Sequence, residues 1–391
     1  MNKKNKKNRF NTNAIHKGQN PEKLYGSVSL PIYQTSTFKQ NKIGEYTYDY
    51  SRAGNPTRSN LEENISSLEN GKDAIAFSSG LAAISSIVQL FQSGDHFILT
   101  ENVYGGTFRL MDEIIKKFNI EQSWVDTSIS DNVEAAIKPN TKLIFVESPT
   151  NPMMHLSDIS KICEIAHQHD IIVAVDNTFM SPYFQRPLDL GADIVMHSTT
   201  KYLNGHSDVI GGIAVTNNNK IAEQLHFLQM SVGAVPGPFD CWLTQRSLKT
   251  LHIRMQRHDE NGRAIAKYLN KSDKIGKVYY PGLSHHPHHE LAKKQQLDPD
   301  GNFGFGAMLS IDLETLDRAS SFVENLEIFI LAESLGGVES LICHPAKMTH
   351  ASISDEQRAK LGISDGLLRL SIGIEHVDDL IQDIDNALES L

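Results

Sequence analysis

The stretch Ile194–Asp208, IVMHSTTKYLNGHSD, contains an apolar run that stops abruptly at a histidine, a serine and two threonines. A single lysine, Lys201, follows them directly. A short continuous apolar run with a polar end is typical of a strand buried in a parallel sheet. Three interpretations of the lysine are open at this point. It is a solvated charge, the base of a Ser-x-x-Lys hydrolase, or a nucleophilic amine that binds a cofactor.

Similar apolar runs alternate with helical patterns on both sides of this stretch. The runs are AIAF (74–77), HFILT (96–100), LIFVES (143–148), IIVAVDN (171–177), DIVMHS (193–198) and GGIAVT (211–216). Helical spacing is present in LAAISSIVQLF at 81–91 and TFRLMDEIIKKF at 107–118, and Ser157 is placed to cap a further helix near Ile159. Apolar strands separated by helices indicate an α/β fold with a mostly parallel sheet covered on both faces.

The length of 391 residues is sufficient for two or three domains with separate cores. We predict an N-terminal arm over 1–48 and a large domain over 49–249. Beyond it, the runs GKVYYPGL, GAMLSIDL and LLRLSIGI predict a smaller α+β domain over 250–391.

Composition excludes several classes of protein. No apolar run reaches the roughly 18 residues that a membrane helix needs, and the basic start MNKKNKKNRF has no apolar segment after it. The net charge of −10 argues against nucleic acid as a partner. Three widely spaced cysteines argue against a disulfide framework and favour the cytoplasm. The histidines of HHPHHE (285–290) lack converging spacing, so we predict a loop and no metal site.

Polar residues stand where the predicted strands end. Ligands of open parallel sheets bind outside the carboxyl ends of the strands. A helix beginning at Ser79-Gly80 would offer unpaired amides to a phosphate, and a buried aspartate would suit a protonated pyridine nitrogen. Together with an activated lysine, these features suggest pyridoxal phosphate. The strand-end residues are Gly80, Asn151, Asp176, Thr178, Ser198, Thr200 and Lys201.

A family resemblance makes this interpretation specific. HSTTKYLNGHSDVIGG resembles the lysine motif of the pyridoxal-phosphate trans-sulfuration enzymes, the cystathionine γ-lyase and γ-synthase group. YDYSRAGNPTRSNLE, FSSGLAA, ENVYGGTFR, ESPTNP, VDNTFMSPYFQRPLDLGADI, ESLGGVESL and LLRLSIGIE follow the family order. The similarity runs from about residue 30 to the C-terminus. It implies a fold type I enzyme that uses pyridoxal 5'-phosphate.

The resemblance assigns roles to individual residues. Lys201 forms a Schiff base with the cofactor and then moves protons between substrate carbons, while Tyr104 stacks on the ring and shares in proton transfer. The implied cofactor contacts are Gly80, Leu81, Asp176, Thr178, Ser198 and Thr200. Asn151 lies near the ring, and Arg369 and Ser334 bind the substrate α-carboxylate.

The resemblance also implies that the active site is shared between subunits. Tyr50 and Arg52, in YSR, reach the phosphate of the neighbouring subunit in such enzymes. A homotetramer made of two catalytic dimers is therefore expected.

A few positions bear on the substrate, an amino acid in every case. Methionine γ-lyases have a cysteine where this chain has Gly106, and an apolar residue where it has Glu333. Glu333 and Arg109 resemble the polar residues that meet the far end of cystathionine, and Asp49 stands where many lyases carry glutamate. We predict a cystathionine γ-lyase, which forms cysteine, 2-oxobutyrate and ammonia, with cystathionine γ-synthase as the alternative.

A hydrolase remains as a remote alternative from another class. Ser198 and Lys201 satisfy Ser-x-x-Lys, but the near-matches HSDV at 206–209 and KTL at 249–251 each fail at the last residue of the accompanying motif. The motif also follows a predicted strand, whereas such hydrolases place it on a helix.

Overall fold

The computed structural model describes residues 8–349 and 354–391, and its largest feature is a seven-stranded sheet. Its strands are β1 (Asp73–Phe77), β2 (His96–Thr100), β3 (Glu121–Val125), β4 (Thr141–Glu147), β5 (Ile172–Asp176), β6 (Ile194–Ser198) and β7 (Gly212–Thr216). Their spatial order is β1-β7-β6-β5-β4-β2-β3. The five strands from β3 to β6 run parallel to one another, as the sequence predicted.

Strand β7 departs from the parallel arrangement. It pairs antiparallel with both β6 and β1. The connection between β6 and β7 consists of turns and extended chain without a helix. A parallel crossover usually needs a helix to return the chain, so this short connection reverses the strand direction instead.

Fourteen α-helices belong to the described segments. They are α1 (Phe10–His16), α2 (Pro56–Leu68), α3 (Gly80–Val88), α4 (Gly105–Arg109), α5 (Ser130–Ala135), α6 (Ile159–His167), α7 (Ser181–Phe184), α8 (Asn219–Val232), α9 (Pro238–Leu248), α10 (Leu251–Leu269), α11 (His289–Gln295), α12 (Leu316–Glu324), α13 (Asp355–Lys360) and α14 (Val377–Glu389). A 3-10 turn also covers Pro187–Leu190.

Two local predictions need correction. The helix expected over 107–118 is irregular, since α4 passes into a π-helical turn at Leu110–Ile114 and a 3-10 turn at Ile115–Phe118. The cap of α6 is Asp158, whose side chain accepts the backbone N–H of Lys161 at 3.0 Å. Ser157 faces inward instead, where its hydroxyl hydrogen-bonds that of Thr127 at 2.7 Å.

Alternating strand residues build cores on both faces of the large sheet. Phe145 of β4 packs in the same buried cluster as Ile87 of α3. Its neighbour Ile144 belongs to the cluster that contains Ile162 of α6. Because successive side chains of a strand point to opposite faces, helices on both sides cover the sheet, which confirms the predicted α/β architecture.

The C-terminal part of the chain builds a second, five-stranded sheet. Its strands are β8 (Lys277–Tyr279), β9 (Met308–Asp312), β10 (Ile330–Leu331), β11 (Leu341–Cys343) and β12 (Leu367–Ser371), in the order β10-β11-β12-β9-β8. Only β10 and β11 pair parallel among these strands. Helix α10 joins the two parts, because Met255 packs in a core with the large sheet and Ile265 in that of the small one.

Other sequence expectations concern parts of the chain outside the sheets. Among the described helices, none combines the length and apolarity needed to cross a bilayer. Residues 1–7 of the predicted basic arm lie outside the described residues. The boundaries of the arm and of the two domains, at 48/49 and 249/250, remain our proposal.

Candidate active site

A cavity of about 650 Å³ opens at the carboxyl ends of β4, β5 and β6, where it also meets the second sheet. Its volume lies in the range of ordinary ligand pockets, about 300 to 1,000 Å³. Most of the residues that the sequence singled out line this cavity. They are Gly80, Leu81, Tyr104, Asn151, Asp176, Thr178, Ser198, Thr200, Lys201, Glu333, Ser334 and Arg369.

The N-terminus of α3 forms one end of the cavity. Ser79 caps the helix by accepting the N–H of Ala82 at 3.0 Å, and Gly80 lies directly against Ser198. A Cβ atom at Gly80 would come within 3.0 Å of the Ser198 Cβ, so glycine allows this close approach. A helix N-terminus beside serine and threonine hydroxyls is suited to a phosphate group.

Asp176 ends β5 and faces the same cavity. Its carboxylate accepts hydrogen bonds from the backbone N–H of Thr178, at 3.0 Å, and from the Thr178 hydroxyl. That hydroxyl in turn accepts the N–H of Ser198 at 2.9 Å. Burial raises the pKa of Asp176 despite these bonds. A cationic group in the cavity, such as a protonated pyridine nitrogen, would stabilise the carboxylate form.

Lys201 lines the same cavity, in the turn after β6. Its Nζ donates to the Ser334 hydroxyl at 3.2 Å. Burial and the nearby Arg369 guanidinium lower the pKa of Lys201 to about 8, while Glu333 opposes the shift. A lysine with such a pKa is deprotonated far more often at neutral pH than an ordinary one, which makes it nucleophilic.

The turn that carries Lys201 is held from behind by Arg254. This buried arginine of α10 donates to the carbonyls of Tyr202, at 2.7 Å, and Leu203, at 3.4 Å. Gly205 closes the turn with its N–H bonded to the Lys201 carbonyl at 2.7 Å. A Cβ at Gly205 would lie 2.2 Å from Arg254 Nη1, so no other residue fits without moving the arginine.

Arg369, on β12 of the second sheet, also lines the cavity. It is 2 % exposed, and it donates to Asn151 Oδ1 at 3.0 Å and to the Ser334 carbonyl at 2.8 Å. Its Nε has no acceptor among the described residues. A buried guanidinium with an unsatisfied N–H is suited to binding a carboxylate ligand.

Tyr104 borders the cavity at the start of α4, with its side chain 40 % exposed. The ring lies directly over Gly106, where a Cβ would come within 2.4 Å of the Tyr104 Cε1. Any side chain at 106 would therefore displace the ring. Gly106 thus has a direct steric consequence for the position of the Tyr104 ring.

Glu147 also lines the cavity, and the sequence analysis gave it no role. It ends β4 in register with Asp176 at the end of β5. The position could have been noticed, since LIFVE ends in a carboxylate in the same way as IVAVD.

Four residues predicted for the site do not line the cavity of their own chain: Asp49, Tyr50, Arg52 and Arg109. Asp49 accepts the N–H of Tyr50 at 2.7 Å, and Arg52 donates to the Met230 carbonyl at 2.7 Å. The Arg52 guanidinium lies 5.5 Å from the centre of the Tyr50 ring. Arg109 is exposed on α4.

The site fits a cofactor with a phosphate, a basic ring nitrogen and an aldehyde. The N-terminus of α3, the carboxylate of Asp176 and the amine of Lys201 supply one partner for each. The Ser-x-x-Lys alternative is not supported, because Ser198 ends a strand and Lys201 donates to Ser334. The fold and this site define a pyridoxal-phosphate-dependent enzyme of the α/β class.

The chain matches one enzyme family and several of its members over nearly its whole length. Residues 11–389 match the family described as Cys/Met metabolism PLP-dependent enzyme, and the chain belongs to that family. It is 51% identical to a cystathionine gamma-lyase of Bacillus subtilis over 97% of this chain and 99% of the relative. It is 54% identical to a cystathionine beta-lyase of Lactococcus lactis subsp. cremoris, over 97% of this chain and 98% of the relative.

A solved structure shows the same fold. The cystathionine gamma-lyase from Lactobacillus plantarum, complexed with L-serine, superimposes with a TM-score of 0.94 at 47% identity. The match covers 98% of this chain and 99% of that one.

Proposed function

We propose that this enzyme is a cystathionine γ-lyase, which cleaves L-cystathionine to L-cysteine, 2-oxobutyrate and ammonia. The observation that carries the proposal is the pairing, in one cavity, of the activated Lys201 with the buried Arg369–Asn151 pair. Glu333 lies on the cavity wall and supplies a carboxylate for the ammonium group at the far end of cystathionine. Relatives of that name from Bacillus subtilis, Dictyostelium discoideum and Mus musculus are 49 to 51% identical to it.

Each residue has a defined task in this proposal. Arg369 and Asn151 hold the substrate carboxylate and so place the α-hydrogen near Lys201. Lys201, whose pKa is lowered to about 8, accepts that proton and returns it to a neighbouring carbon. Bound pyridoxal phosphate supplies an electron sink for the substrate carbanion. Asp176 would stabilise a positive charge on the cofactor's ring nitrogen, and Tyr104 would contact the ring and assist proton transfer.

A cystathionine β-lyase is the second candidate, favoured by the Lactococcus relatives that are 52 to 54% identical. Cystathionine carries an amino and a carboxylate group at each end, so Arg369 can hold either end. If the four-carbon end lies at Arg369, cleavage gives cysteine and 2-oxobutyrate. If the three-carbon end lies there, cleavage gives homocysteine and pyruvate. The substrate orientation therefore decides the reaction.

The experiment measures both keto acids from L-cystathionine with the purified, cofactor-loaded enzyme. Excess of 2-oxobutyrate over pyruvate supports the γ-lyase, and excess of pyruvate makes the enzyme a β-lyase. A parallel assay supplies an O-acyl homoserine with cysteine. Faster formation of cystathionine in that assay would replace both proposals by the γ-synthase.

We further propose that Tyr50 and Arg52 complete the active site of a neighbouring subunit in a homotetramer of two catalytic dimers. The support is that both residues lie outside the cavity of their own chain, at the end of the segment 24–52, which carries exposed apolar side chains. Leu24, Tyr25 and Val28 of this segment are 75%, 88% and 80% exposed. Such exposure on several neighbouring residues favours coverage by another protein surface.

Mixing two inactive variants tests the shared site. Subunits with Lys201→Ala and subunits with Arg52→Ala are dissociated, combined and allowed to reassociate. In a mixed pair, one site combines an intact Lys201 with an intact Arg52, so random mixing restores about one quarter of the wild-type activity. Unchanged inactivity, with mixed pairs demonstrated by tag capture, would contradict the proposal.

A cytoplasmic location is also proposed. Cys163, Cys241 and Cys343 are all buried, and no disulfide joins them in the described chain. Buried thiols of this kind are typical of proteins from reducing compartments.

A further inference from the structure

Glu147 lines the cavity, and no step of the proposed mechanism uses its carboxyl group. It is 5 % exposed and ends β4 directly beside Asp176. Both residues continue the face of the sheet that carries Phe145 and Ala174, so both side chains point to the same side. Carboxyl groups are rarely buried unless they have partners, so its contacts indicate its role.

The two oxygens of Glu147 bind two different loops. Oε2 accepts the backbone N–H of Tyr104 at 2.9 Å. Oε1 accepts the backbone N–H of Asn151 at 3.0 Å. The Asn151 side chain in turn accepts Arg369 Nη1 at 3.0 Å. One carboxyl group thus joins the loop that carries the ring-covering tyrosine to the pair that would hold the substrate carboxylate.

Burial and the nearby Asp176 shift the pKa of the Glu147 carboxyl. Burial and the neighbouring Asp176 raise the pKa of Glu147 well above its ordinary value, and its two backbone hydrogen bonds and Arg369 act in the opposite direction. Two carboxyls beside one cavity do not both ionise readily. Ionisation of Glu147 is therefore disfavoured while Asp176 is charged.

We propose that Glu147 is a positioning residue that sets Tyr104 and the Asn151–Arg369 pair at a fixed separation across the cavity. The inference rests on the proposed function only in taking Arg369 as the carboxylate-binding group. Glu147 acts through the two loops that it holds. Substrate binding depends on its hydrogen bonds to the Tyr104 and Asn151 amides, because these bonds fix the positions of both loops.

Two substitutions separate positioning from charge. Glu147→Gln keeps the length, but its amide nitrogen cannot accept an N–H, so one backbone donor is left unpaired. Glu147→Asp keeps the carboxyl but is one methylene shorter and cannot reach both loops. Glu101→Gln is the matched control, because Glu101 directly follows the neighbouring strand β2 and pairs with Lys360 outside the cavity.

The main measurement is binding of L-norleucine to the cofactor-loaded protein, followed by the change in cofactor absorption. Norleucine has an α-amino and an α-carboxylate group but no leaving group, so its affinity is independent of the reaction. With one loop no longer held by Glu147, the Asn151–Arg369 pair must be ordered when the ligand binds, and the cost of one hydrogen bond corresponds to about tenfold in affinity. We expect such a rise in Kd for both Glu147 variants, with unchanged total cofactor content, and no change for Glu101→Gln.

A double-mutant cycle identifies the path of the effect. If Glu147 acts through Asn151, the losses from Glu147→Gln and Asn151→Ala are not additive in the norleucine Kd. A wild-type Kd for norleucine in either Glu147→Gln or Glu147→Asp would overturn the positioning role. If either variant fails to fold, the other provides the same comparison. Wild-type protein that binds norleucine but does not cleave cystathionine would refute only the proposed function.

Discussion

The proposed cofactor side and the proposed substrate side of the cavity are built in different ways. The cofactor side comes from strand ends of one sheet, namely Gly80 after β1, Asp176 at the end of β5 and Lys201 after β6. The substrate side joins distant parts of the chain, since the Arg369–Asn151 bond spans 218 positions. A parallel sheet brings its carboxyl ends to one edge whatever the loops contain, whereas the second side depends on docking of the small sheet.

The two sides are nevertheless coupled through charge. Arg369, on the substrate side, contributes to the low pKa of Lys201 on the cofactor side. Lys201 also donates to Ser334, which belongs to the C-terminal part of the chain. Docking of the small sheet therefore lowers the pKa of the lysine as well as bringing Arg369 to Asn151.

The largest effect is expected from removing the cofactor-side amine. Lys201→Ala loses the group that moves protons, a role that typically contributes about 10²- to 10⁴-fold, and we expect the upper end of that range. Cystathionine turnover and the visible absorption of the lysine-bound cofactor are the measurements. Lys220→Ala, at an exposed lysine of α8, is the control and leaves both unchanged. Retention of the absorption band in Lys201→Ala would mean that another amine binds the cofactor.

A smaller effect is expected on the substrate side. Arg369→Lys keeps the charge but loses the fork that contacts Asn151 and the Ser334 carbonyl. The loss of charge-assisted hydrogen bonds corresponds to about 1.5 to 3 kcal/mol, or roughly 10- to 150-fold in kcat/KM. Cofactor absorption stays at the wild-type level, which separates the two sides. Equal loss of cofactor and of turnover would show that the sides do not act separately.

The support behind Lys201 is tested by two glycine substitutions. Gly301 has φ +88° and open space around it, so Gly301→Ala costs only the left-handed conformation, about 1 to 2 kcal/mol of unfolding free energy. Gly205 has φ +71° and would in addition place its Cβ against Arg254. Gly205→Ala should lose roughly 1 to 3 kcal/mol more from this overpacking. Denaturant unfolding of both variants measures the difference, and equal losses would remove Arg254 from the explanation.

The subtlest prediction concerns pH. In the protein without cofactor, the pKa of Lys201 is lowered to about 8, so the reactive free amine increases as pH rises through that value. Covalent uptake of pyridoxal phosphate should therefore be half-maximal near pH 8 and level off above it. Arg369→Met removes a positive charge that lowers this pKa, so its midpoint moves upward. A rate still rising steeply at the pKa of an ordinary lysine, about 10.4, would show that Lys201 is not desolvated.

Sequence reasoning succeeded where local pattern and strand order are sufficient. The mostly parallel sheet and the strand-end positions of Asp176 and Lys201 follow from apolar runs and from the rule on carboxyl ends. It was wrong about the cap of α6, because the neighbouring polar residues Ser157 and Asp158 offer similar capping groups. Glu147 was missed because a strand-end glutamate does not reveal which backbone amides it will meet.

By itself, the sequence determined the class of fold and the cofactor, and it predicted which lysine binds that cofactor, because these depend on short patterns and on family motifs. Only the tertiary structure decided that Glu147 lies beside Asp176, that Arg254 holds the Lys201 turn, and that Arg369 lowers the pKa of that lysine. Strand register, burial and charge proximity join residues far apart in the chain. The physical reason is that desolvation and Coulomb interactions depend on distance in space, which the order of residues does not specify.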